Sequence, residues 1–174
     1  YKHTIKPEVT YQYIPDIDQD DLYWLGRINK KSLLSYGLTS FLIGKTVTED
    51  GNSTYHDYVR FKVYQDYDFE ADDHEFSNIS AQLDLWPSKY ISSSTRVIYD
   101  HAEGDFPQFL ETVKASDKRG DSLWFDYRYR KSDTQQLNLH TFLKLTETIN
   151  LIYNTMYDFR EDDFIESTYG LVYH

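Results

Sequence analysis

Apolar and polar residues alternate along most of the chain. Ile5, Pro7, Val9, Tyr11 and Tyr13 take every second position, and Lys6, Glu8, Thr10 and Gln12 fill the gaps. A period of two places these sets on opposite faces of a strand. Ile79, Ala81, Leu83 and Leu85 repeat the pattern against Ser80, Gln82 and Asp84. So do Leu123, Phe125, Tyr127 and Tyr129 against Asp126, Arg128 and Arg130. Leu137, Leu139, Leu143 and Leu145 alternate with Gln136, Asn138, His140 and Lys144, and Leu151, Tyr153, Tyr157 and Phe159 with Asn150, Asn154 and Asp158. Ile165, Tyr169, Leu171 and Tyr173 close the series. Less regular strands lie near 32–47, 54–66, 89–100 and 107–117. The pattern predicts about ten strands of about 10–13 residues. Ordinary globular strands have about 5–6 residues, whereas a tilted membrane-crossing strand needs about 9–11. Pro7 lacks a ladder donor, so its strand is an edge or carries a bulge.

Short polar connections separate the strands: Asp50-Gly51-Asn52, Trp86-Pro87-Ser88, Glu103-Gly104-Asp105, Asp117-Lys118-Arg119-Gly120, Ser132-Asp133 and Glu161-Asp162-Asp163. Gly, Asn and Asp tolerate the backbone of tight turns. Short turns join antiparallel neighbours. Longer connections lie near 14–31 and 66–77. The expected fold is all-β: an antiparallel up-and-down meander of about ten strands, in which 1–174 is a single segment. No helix, exact repeat or internal boundary is evident. Tyr1 and His174 both fall within strand-like patterns, which reads as a fragment of a longer barrel.

Composition narrows the function. Thirty of the 174 residues are aromatic (17 Tyr, 10 Phe, 3 Trp), and the formal charge is −11. An acidic chain lacks the basic footprint that nucleic-acid phosphates require. With no cysteine there is no disulfide and no thiolate site. No apolar run approaches the about 20 residues of a transmembrane helix, but a membrane β-barrel alternates and escapes that criterion.

Alternation does not say which face is wet. In a soluble sandwich the apolar face packs inward, whereas in an outer-membrane barrel it meets lipid and the polar face lines the lumen. Strand length favours the barrel. So do Tyr11, Tyr13, Trp86, Tyr90, Tyr99, Tyr127, Tyr129, Tyr157 and Tyr173 near strand ends, where ring and polar tip suit a headgroup layer. Asp84, Arg96, Asp126, Arg128, Arg130 and Lys144 on the polar sets are the candidate lumen-facing residues of a wet, mixed-charge interior. The two aspartates are candidate partners of the cations.

No catalytic constellation is visible. The acidic stretch from Asp16 to Asp21 begins like a calcium loop but has Asp21 and Arg27 where the loop needs Gly and Glu. Asp72-Asp73-His74-Glu75 reads as surface, and the six histidines lack metal spacing. No enzyme activity, metal or cofactor is expected.

The stretch Pro7-Glu8-Val9-Thr10-Tyr11-Gln12-Tyr13-Ile14-Pro15-Asp16-Ile17-Asp18-Gln19-Asp20-Asp21-Leu22 resembles a motif in the barrel domain of the lipopolysaccharide-assembly outer-membrane protein family LptD (OstA/Imp, organic solvent tolerance protein). Its motif residues are Pro7, Tyr11, Tyr13, Pro15, Asp18 and Gln19, with Asp84, Trp86 and Pro87 in the second matching stretch, Ile79 to Pro87; a third runs from Ser116 to Leu123. The resemblance implies the later part of a transmembrane barrel in the Gram-negative outer membrane. The implied function is lipopolysaccharide transport into the outer leaflet without covalent chemistry. Implied partners are lipopolysaccharide, an LptE-like lipoprotein plug, outer-membrane lipid and, through an absent N-terminal domain, periplasmic bridge proteins; the plug or the lipopolysaccharide would meet the lumen-facing candidates Asp84, Arg96, Asp126, Arg128, Arg130 and Lys144. The family's cysteines and earlier strands are missing here. A general porin or structural outer-membrane barrel, and a soluble β-sandwich or lipocalin-like binding module, remain the alternatives.

Overall fold

The computed structural model describes residues 1–16, 29–47 and 50–173. It contains β1 (Lys2–Ile14), β2 (Lys31–Val47), β3 (Ser53–Asp68), β4 (Ile79–Ser88), β5 (Ile91–Asp100), β6 (Asp105–Ser116), β7 (Ser122–Arg130), β8 (Thr134–Lys144), β9 (Ile149–Asp158) and β10 (Asp163–Tyr173). They form one ten-stranded sheet in chain order, each strand antiparallel to the next. The expected all-β meander is therefore present. Strands touch only their sequence neighbours, so β1 and β10 do not meet and the sheet is not closed. No second layer covers either face among the described residues, as a sandwich would require.

Pro7 takes the edge option. β1 is an outer strand, and its register runs unbroken from Lys2 opposite Ile43 to Ile14 opposite Lys31. Four register shifts occur elsewhere, three at strand ends and one inside β2, between Leu42 and Ile43. Between them the phase is uniform. Leu38, Val63, Ala81, Val97, Phe109 and Tyr129 form one row across the apolar face. Arg60, Asp84, Ser94, Thr112, Asp126 and Asn138 form one across the polar face. Gly37 allows β2 and β3 to pair closely, because a Cβ there would stand 2.7 Å from the Val63 carbonyl oxygen and 2.9 Å from the Tyr64 Cβ.

Burial is inverted relative to a water-soluble domain. Among the described residues no hydrophobic side chain is buried, whereas Ser32, Thr39, Asp84, Asp126 and Asn150 are. A soluble chain this long would normally bury an apolar core.

The longest connections, 15–30 and 69–78, both leave the end of the sheet where β1 finishes, here the upper end. The connections from β2 to β3, β4 to β5, β6 to β7 and β8 to β9 join strand ends at the lower end.

Candidate functional site

The polar face is organised around two buried carboxylates. Alternation directs Asp84 of β4 and Asp126 of β7 away from the apolar rows. Asp84 is 4% exposed. It accepts hydrogen bonds from Arg60 Nε at 2.9 Å, Ser94 Oγ at 2.7 Å and Gln82 Nε2 at 2.9 Å, and Arg60 Nη2 lies 2.8 Å away. Asp126 accepts from Arg128 Nε at 2.7 Å and Thr112 Oγ1 at 3.0 Å. A buried carboxylate needs such donors, because desolvation otherwise disfavours its charge.

This divides the six lumen-facing candidates. Arg128 belongs to Asp126. Arg96 is not the partner of Asp84: Arg60, which the sequence reading left out, holds it, and the Arg96 guanidinium makes no hydrogen bond or ion pair among the described residues. Arg96 and Arg128 flank Leu110 in one row, and Arg130 lies opposite Gln108 in the next. Arg130 is exposed and pairs with Asp133 at 3.3 Å. Three arginines thus gather on the upper half of the polar face. Lys144 stands apart at the lower end of β8, where its backbone N–H donates to Asp121 Oδ1 at 2.7 Å. Of the motif residues, Pro7, Tyr11 and Tyr13 lie on β1, Pro15 follows it, and Asp84, Trp86 and Pro87 lie on β4. Asp18 and Gln19 lie outside the described residues.

The apolar face carries a row of aromatic rings along its upper end. Tyr11 meets Tyr13 at 6.5 Å and Phe69 at 6.1 Å, and Tyr67 meets Phe69 at 4.8 Å and Phe76 at 4.9 Å. Tyr99 meets Phe106 at 5.1 Å, and Tyr127 meets Phe109 and Phe159, each at 6.1 Å. Tyr157 meets Phe159 and Phe164 at 5.0 Å. Tyr173 lies at a strand end on the same face, at the lower end. The expected girdle needs correction in two members. Trp86 falls in phase with Gln82 and Asp84, and its ring lies 5.7 Å from Arg60 on the polar face. Tyr90 lines the same cleft as Trp86. Phase along β4 was the signal for Trp86; proximity to a strand end outweighed it.

Asp100, Glu103 and Asp105 at the β5–β6 turn present oxygens within reach of one ion. Lys131 already occupies that position, bonding Asp105 and lying 2.7 Å from Glu103, and these acids raise the lysine's pKa above its usual range. Asp100 caps its own turn, accepting from the backbone N–H of Ala102 at 2.9 Å and of Glu103 at 3.1 Å. This cluster reads as a turn clamp.

The geometry supplies a polar wall with fixed carboxylates, three paired guanidinium groups and the unpaired one of Arg96, backed by an apolar face that no layer covers among the described residues. No protein-family model matches the chain, and no curated protein matches it.

Proposed function

We propose that the chain is a segment of an outer-membrane β-barrel in a lipopolysaccharide transport and assembly translocon. One observation carries the membrane part: a mainly apolar face that runs over ten strands, interrupted at mid-height by Glu111 with its donors Ser93 and Thr95, with no layer packed on it among the described residues and a row of rings along one end. Water would penalise that face at about 25 cal/mol per Å², and hydrocarbon removes the penalty. Rings with polar tips favour the headgroup layer. The polar face then lines the lumen.

The lipopolysaccharide part rests on the three motif stretches, with Arg96, Arg128 and Arg130 as phosphate partners, since guanidinium binds phosphate through paired hydrogen bonds. The open edges of β1 and β10 fit a larger barrel, because unpaired backbone groups in lipid cost several kcal/mol each. Barrels of this class have short periplasmic turns and longer outer loops, so the upper end faces outward. An LptE-like plug would fill the lumen, and no covalent step is involved.

The test is fractionation of the full-length protein. Recovery in outer membranes with a co-purifying lipoprotein supports the reading, and recovery as a soluble periplasmic protein removes it. The mixed-charge polar face also suits a general porin. That alternative predicts ion conductance by the purified protein and indifference to lipopolysaccharide.

A further inference from the structure

A cleft of about 610 Å³ opens on the polar face at its lower end, remote from the three arginines. Its lining differs from the rest of that face. Aromatic rings come from Trp86, Tyr90, Trp124 and Phe142, and hydroxyls from Ser92, Ser116 and Ser122. Its cations are Lys89 and Lys114, and no carboxylate lines it, although the chain carries a net −11. Lys114 Nζ stands 5.4 Å from the centre of the Trp124 ring, and His140 stacks on that ring at 4.8 Å. The His140 Nδ1 is held 3.0 Å from Asn154 Oδ1. Lys89 lies 5.0 Å from the Tyr90 ring. Neither lysine forms an ion pair, and the three serine hydroxyls have no hydrogen bond among the described residues.

These groups share one complementary ligand class. Rings cover the C–H faces of a sugar, hydroxyls and an amide meet its hydroxyls, and unpaired ammonium groups meet an acidic substituent. We infer that this cleft binds an acidic sugar, one bearing a phosphate or carboxylate. The site goes beyond the transport reading, since its chemistry comes from the lining alone. A free sugar phosphate and the head of a glycolipid share that chemistry.

The experiment uses full-length protein in lauryldimethylamine oxide, a detergent without sugar or phosphate, and follows tryptophan fluorescence during titration. Glucose 1-phosphate and glucuronate are expected to bind saturably, with glucose and inorganic phosphate each at least about tenfold weaker. The double variant Lys89→Gln with Lys114→Gln is expected to lose about tenfold in affinity for glucose 1-phosphate. Absence of saturation, phosphate binding as tightly as glucose 1-phosphate, or a folded double variant with unchanged affinity would each overturn the site. The wild-type comparisons decide even where the variant does not fold. Tighter binding of deacylated lipopolysaccharide than of glucose 1-phosphate supports the site with a glycolipid as source; equal binding supports it with a free sugar. Failure here leaves the membrane-fractionation result untouched.

Discussion

The two faces of this sheet are built from neighbouring positions on the same strands, yet they solve opposite problems. The apolar face has mainly apolar rows at mid-height, broken by Glu111, and rings at the upper end, with nothing packed on it among the described residues. The polar face hides carboxylates beneath cations and hydroxyls, and Asp84 is more buried than any leucine of the opposite face. On the polar side ordering comes from a network around buried carboxylates; on the apolar side directional bonds are fewer, Ser93 and Thr95 donating to Glu111 and Tyr36 to Gln65. A single residue of phase therefore decides whether a substitution meets a hydrogen-bond network or an open hydrophobic surface.

The largest expected difference exploits that phase. Leu139→Lys places a charge at mid-height on the apolar face and should cost about 2–4 kcal/mol in a bilayer. Asn138→Lys, one residue earlier on the polar face, should cost less than about 1 kcal/mol. Urea unfolding of protein folded into lipid vesicles measures both, and equal costs would break the comparison between faces. Next comes the network. Arg60→Ala leaves a buried carboxylate without its cation and should cost about 2 kcal/mol. Adding Asp84→Asn should recover part of that loss in a double-mutant cycle; strict additivity would mean the pair is not coupled.

Much of this was legible in the sequence because period-two alternation is a local property. Ten strands, their order and the sides of Leu123, Phe125, Tyr127 and Tyr129 follow from it. The Arg60–Asp84 pair was not legible, because it depends on the register between β3 and β4, which is set across the 69–78 connection. The convergence of Arg96 and Arg128 around Leu110 is also a register effect, across three strands. Trp86 was legible in phase and misplaced by its position near a turn. Lys144 shares a face with the arginines but not a height, and alternation carries no information on height between strands.

Smaller effects sharpen the contrast between the two ends. Tyr127→Ala removes a ring touching both Phe109 and Phe159 and should cost about 1 kcal/mol, whereas Tyr173→Ala, whose ring meets no other ring among the described residues, should cost less; the same urea titrations read both. The smallest effect is at the β6–β7 turn. Asp121 is held below the usual carboxylate pKa by Arg119 and by the backbone N–H of Lys144. A carboxyl depressed on folding adds stability above its unfolded pKa of about 4, and that contribution fades as pH falls through the folded value. Asp121→Asn should therefore flatten the acid side of the stability profile and leave stability unchanged with pH between 6 and 8, in unfolding series on ~1-unit pH steps.

Because each strand touches only the strands before and after it, excising a whole hairpin leaves every remaining contact intact. Without β7 and β8, β6 would meet β9 still antiparallel, with Val113 and Thr155 on the side of the rings and Thr112 and Met156 on the other. Removing a single strand would instead set like directions side by side. The hairpin is thus the increment by which such a wall can be lengthened or shortened, and its width is expected to change in steps of two strands.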